Sequence, residues 1–130
     1  MELENSCVSQ GDKKMSRYED LKVYQRAVDL VVEVYRFSGS LPGEEKFGLI
    51  DQIRRAATSI PLNIAEGSSS SSSKVFNRYL ETALGSGYEV KTILTICERL
   101  NYGDKKLIRK LILELDEIIA MLKGLIKSLK

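Results

Sequence analysis

Histidine and tryptophan are absent from this 130-residue chain. Without histidine there are no histidine-ligated metals, no Ser-His-Asp or Cys-His nucleophilic catalysis and no imidazole acid/base chemistry. A ribonuclease built on Arg-x4-His and a di-iron bundle built on Glu-x-x-His are excluded in the same way. Only two prolines occur, which favours long helices over a turn-rich β fold. The two cysteines, Cys7 and Cys97, are too far apart and too unlike in setting to form a C-x-x-C pair or a zinc ligand set. Cys97 falls on an apolar helical stripe, where a thiol packs as a small hydrophobe. No apolar run approaches the ~20 residues of a membrane span. The opening MELENSCVSQGDKK lacks the apolar stretch of a secretory signal. No Gly-rich phosphate loop is present, since Gly85-Ser-Gly87 lies inside a helical pattern and has no lysine at the required spacing. The expectation is a cytoplasmic protein with no membrane contact and no cofactor, which is not an enzyme.

What is present is ordinary for a soluble globular chain: 43% hydrophobic and 29% charged residues. Twenty Lys and Arg oppose eighteen Asp and Glu, a net charge of +2. That excludes a histone-like protein and an acidic tail but leaves room for a local basic patch. The length suits one domain. Residues 1–17 are polar and aperiodic and are expected to be a disordered N-terminal arm. A helical domain is expected over 18–130.

Four helices are predicted. The first spans about Glu19 to Ser38, opened by a capping box at Ser16 and Glu19. Its apolar face is read as Leu21, Tyr24, Val28, Val31 and Tyr35, with Ala27 and Val34 beside them. Gly39-Ser-Leu-Pro-Gly43 stops it. The second runs from Glu44 to about Glu66 on Leu49, Ile53, Ala56, Ala57, Ile60 and Ile64. Pro61 lies inside it, where a kink is expected, and Gly67 ends it. The six serines Ser68 to Ser73 read as a flexible loop whose last members can cap the next helix. The third helix, about Lys74 to Leu100, carries a heptad seam through Tyr79, Ala83, Ser86, Val90, Ile93, Cys97 and Leu100. Gly85 and Gly87 interrupt it. Each costs about 1 kcal/mol in a helix interior, and close approach of a neighbouring helix is the simplest reason for both. Gly103 is expected to end this helix and Asp104 to cap the fourth. That last helix runs to Ser128 on Leu111, Leu115, Ile118, Leu122, Leu125 and Leu129. No segment reads as a strand. The fold class is all-α, an up-down-up-down antiparallel four-helix bundle.

Gln52-Ile-Arg-Arg-Ala-Ala-Thr-Ser-Ile-Pro-Leu-Asn-Ile-Ala-Glu-Gly67 resembles the signature Q-I-R-R-A-x-x-S-I-P-x-N-I-A-E-G of the four-helix bundle proteins encoded by intervening sequences in bacterial 23S ribosomal RNA genes. Tyr18-Glu-Asp-Leu-Lys-Val-Tyr-Gln-Arg-Ala27 is similar to that family's opening, and Ala83-Leu-Gly-Ser-Gly-Tyr-Glu-Val-Lys-Thr92 to its A-x-G-S-x-x-E-x-x-T segment. The chain departs from the pattern after Gly67, where Ser69 and Ser70 replace Gly-Arg and Val75 replaces a Glu. The resemblance implies a bundle that assembles into a ring, typically a homopentamer. It also implies kinship with the accessory variability protein of diversity-generating retroelements, which binds nucleic acid and a reverse transcriptase.

Three groups of candidate site residues follow. Arg54 and Arg55 suit phosphate contacts, or ion pairs with Asp51, Glu66 or Glu89. Ser59, Asn63 and Glu66 share one face beside Pro61 and with Gln52, Gly85, Ser86 and Glu89 form a candidate interface; Glu89 and Thr92 are expected to face that stripe. Lys105, Lys106, Arg109 and Lys110 open the last helix. Residues 101–130 hold seven basic and four acidic residues, a basic surface that would attract RNA or DNA by counterion release. A ring would repeat any such patch and gain avidity. The alternative is an oligomer that engages only protein.

Overall fold

The computed structural model describes residues 17–130. The N-terminal arm, Cys7 and the Ser16 half of the capping box lie outside them. Four helices follow in order: α1 (Lys22–Ser38), α2 (Leu49–Ser68), α3 (Ser73–Arg99) and α4 (Lys105–Ser128). There is no strand among the described residues. Each helix touches its two neighbours around a square, α1 against α2 and α4, and α3 against α2 and α4, while α2 and α4 share no contact across the diagonal. Pairs that cross the seams run in opposite senses: Ser59 meets Ser86 and Gly67 faces Tyr79 between α2 and α3. Between α3 and α4, Lys91 meets Asp116 and Glu98 meets Arg109. The architecture is the antiparallel bundle that the four periodic segments specify.

One continuous core fills the square, with Leu30, Phe37, Ile53, Ile60, Leu80, Leu94, Ile108, Leu111, Leu115 and Leu122 among its fully buried side chains. Helices 2, 3 and 4 bury the stripes that their spacing implies. Cys97 is buried, and that burial, helped by the charge of Glu45, pushes its thiol above the usual range. Helix 1 differs from expectation. Its core stripe is Val23, Ala27, Leu30, Val34 and Phe37, one position away from the stripe through Tyr24, Val28, Val31 and Tyr35. Val28 and Tyr35 are exposed. The segment carries two apolar stripes side by side, and only packing decides which one turns inward.

The helix ends correct several expectations. A 3-10 turn, Tyr18–Asp20, precedes α1, so Glu19 is not within the α-helix. A second 3-10 turn, Gly43–Glu45, precedes α2. Gly48, with φ −112° and ψ −110°, separates that turn from the helix. The Glu45 carboxylate still serves α2 by accepting from the Leu49 N–H at 3.2 Å. Helix 2 continues through the buried Pro61 and past Gly67 to Ser68. The serine run is therefore mostly consumed: Ser68 ends α2, Ser73 starts α3, and Ser72 caps α3 by accepting from Val75 N–H at 3.2 Å. Helix 3 ends at Asn101 rather than Gly103. Asn101 takes the left-handed conformation at φ 59°, and Tyr102 N–H reaches back to Cys97 O at 2.9 Å while Asn101 N–H reaches Glu98 O at 3.1 Å, a Schellman closure. Gly103, also left-handed at φ 78°, lets Phe37 lie against the backbone, since a Cβ there would stand 2.6 Å from its ring. Asp104 caps α4 through the Lys106 N–H at 3.1 Å.

Candidate functional site

The outer face of α2 and the rim of α1 beside it enclose a shallow groove of ≈ 640 Å³, lined by Tyr35, Asp51, Arg54, Arg55, Thr58, Ser59, Leu62, Asn63 and Glu66. Helical spacing places them there: Ile53, Ala56, Ala57, Ile60 and Ile64 occupy the inward face, so the polar positions between them turn outward.

The two arginines behave differently. Arg55 pairs with Asp51 one turn back, Nε to Oδ2 at 3.0 Å, on the exposed surface. Such a pair contributes at most about 0.5 kcal/mol. Arg54 lies across the α1–α2 seam. Its Nε donates to Ser38 Oγ at 2.7 Å, and its guanidinium sits 4.5 Å from the centre of the Tyr35 ring, a cation–π contact. No ion pair joins Arg54 to a carboxylate among the described residues. The expected pairing with Asp51 therefore holds for Arg55 and not for Arg54.

Ser59 and Asn63 are used internally. The Asn63 amide donates to Ser59 O at 2.8 Å and to Ser59 Oγ at 2.9 Å. Ser86 Oγ on α3 donates to Ser59 Oγ at 2.8 Å. This cluster satisfies polar atoms where two helices meet closely. Glu66 lines the groove and is exposed, whereas Gln52 is exposed outside it. Glu89 and Thr92 are exposed on α3 and do not line the groove either; Thr92 donates to Tyr88 O on its own helix at 2.9 Å. The two glycines part company. A Cβ on Gly87 would stand 3.2 Å from Ile119 Cγ1, so close approach of α4 explains that one. Gly85 is exposed and a Cβ there would meet nothing within 4 Å; the expected neighbour is missing from within the subunit.

The second candidate surface opens α4. Lys105, Lys106, Arg109 and Lys110 are all exposed. Arg109 Nε lies 3.4 Å from Glu98 and Lys110 Nζ 4.0 Å from Glu114. Lys105 and Lys106 have no carboxylate partner among the described residues. Because α2 and α4 lie diagonally, the structure does not join this cluster to Arg54 and Arg55. Sequence reasoning missed Tyr35, Ser38, Thr58 and Leu62 as parts of the α2 groove. Tyr35 was assigned to the core, and Leu62 occupies an unspecified place in the signature.

The family profile described as 23S rRNA-intervening sequence protein matches residues 19–124. Among solved structures, the chain is similar to a protein of unknown function from the S23 ribosomal protein family of Bacteroides thetaiotaomicron. The two share 27% identity and a TM-score of 0.75 over 81% of this chain and 98% of that one. A comparison with curated proteins finds no match. No helix among the described residues is long and apolar enough to cross a membrane.

Proposed function

We propose that this chain, which belongs to the 23S rRNA-intervening sequence protein family, works as a non-enzymatic homo-oligomeric helical module of the cytoplasm that holds RNA or DNA by its phosphates. The observation that carries the nucleic-acid part is the exposed start of α4, where Lys105 and Lys106 stand without carboxylate partners beside Arg109 and Lys110. Four cations within two turns suit a phosphate backbone, and contacts of that kind carry affinity without sequence information. The oligomer part is supported by apolar side chains left outside the bundle, among them Val32, Tyr35, Leu62 and Ile96. A ring of five, the assembly that the family resemblance implies, would repeat the α4 cluster around its axis and let weak single contacts sum.

The test is light scattering for mass, with fluorescence anisotropy of labelled RNA and DNA across a salt series. The expected result is an oligomer whose affinity falls with salt by about one unit of log slope per phosphate contacted. Replacing Lys105, Lys106, Arg109 and Lys110 with Gln should flatten that slope and leave the helical spectrum unchanged. A second reading, an oligomer that engages only protein, is favoured by Phe47 at 88% and Leu113 at 67% exposure, apolar surface that a phosphate backbone would not use. An intact oligomer with no binding at low salt would select it.

A further inference from the structure

Gly85 is the residue that the subunit leaves unexplained. It stands in the middle of a 27-residue helix, exposed, with open space where its side chain would be. Alanine there would favour the helix by about 1 kcal/mol. One turn to either side lie Glu81 and Glu89, both exposed and without basic partners among the described residues. Further along the same outer stripe is Ile96, 41% exposed. This stripe is acidic, flanked by apolar surface and stripped of side chain at its centre.

The face across the molecule has the opposite character. On α1 and α2, Val32, Tyr35 and Leu62 are exposed, and Arg54 stands among them without a carboxylate. We infer that the outer stripe of α3 around Gly85 seats against the α1–α2 face of a second copy of this chain, bringing Glu89 to Arg54. The inference rests on the homo-oligomer reading and adds the surfaces to it. Charge selects this pairing over its rivals. Two α3 stripes set face to face would oppose Glu81 and Glu89 to their own copies, and two α1–α2 faces would oppose arginines to arginines; like charges across an interface are costly. The unlike faces attract, and because they sit on different helices, the contact is head-to-tail, the kind that closes rings. Gly85 then lets the incoming helix approach the α3 backbone, and Arg54, already held by Ser38 and Tyr35, loses little freedom on pairing.

The test uses the full chain with Gly85→Leu, Arg54→Glu, Glu89→Arg and the double reversal, each followed by sedimentation and circular dichroism. Leucine at Gly85 meets open space within the subunit, so the helical spectrum should persist while the dissociation constant of the assembly rises by roughly 30-fold or more, as for a central interface position. Each single reversal should weaken assembly, and Arg54→Glu with Glu89→Arg together should recover it. An oligomeric wild type whose mass survives Gly85→Leu, or single reversals that leave assembly unchanged, would place the contact elsewhere and leave the homo-oligomer standing. A monomeric wild type would remove the homo-oligomer reading itself.

Discussion

Two seams of the same bundle are built on opposite principles. Between α2 and α3 the contact is made by small residues: Ser86 bonds directly to Ser59 at 2.8 Å, and a Cβ on Gly67 would stand 2.5 Å from Tyr79 Cβ. Between α1 and α4 the seam is bridged at the surface by the long side chains of Arg26 and Glu117, above a core to which these helices give Leu30, Phe37, Ile108 and Leu111. A seam made of small residues has no slack and suffers from addition. A seam made of large ones suffers from removal and is indifferent to its surface ions.

The comparison can be broken from either side. The largest effect is expected from Leu30→Ala, which empties a fully buried position and should lower stability by about 3–4 kcal/mol in urea melts. A loss below about 1 kcal/mol would show that α1 can settle inward. Gly67→Ala comes next. The clash falls on a Cβ that cannot swing away, so overpacking of about 3 kcal/mol should outweigh the roughly 1 kcal/mol gained in helix propensity. A stabilised variant would show the α2–α3 seam to be looser than its distances imply. Arg26→Ala should change stability by less than about 1 kcal/mol, because Glu117 is 64% exposed and the pair is open to salt screening. A larger change, abolished by salt, would give the ion pair a share in holding the α1–α4 seam.

The close seam was half legible in the sequence. Ala83, Ser86 and Gly87 lie on a heptad spacing that only a bundle uses, and the structure buries all three. What spacing could not supply was the partner of each residue. Gly85 and Gly87 read as a pair, yet α4 reaches only Gly87. The two stripes of α1 have equal periodicity, so the outward position of Val28 and Tyr35 emerged only when four helices closed on one core. The same limit hid the environment of Arg54: its partners Ser38 and Tyr35 are sixteen and nineteen positions away on another helix. The signature shows two arginines and cannot show that one is tied to its own helix and the other to its neighbour. Helix extents were legible wherever periodicity was long. They failed at the edges, where single groups decide, such as the Glu45 carboxylate or the left-handed Asn101.

The serine run has a consequence in time rather than space. With Ser68 and Ser73 taken into helices, α2 and α3 are joined by residues 69–72 alone, and α3 and α4 by 100–104, whereas 39–48 separate α1 from α2. Short links bring contacts close along the chain, which lowers the entropy of closing them and speeds folding. Helices 2, 3 and 4 can therefore collect into a hairpin pair before α1 arrives from its longer tether. The face shared by α1 and α2 is then the last surface the subunit completes, so a neighbour that reads Tyr35 and Arg54 together reads only chains that have finished folding.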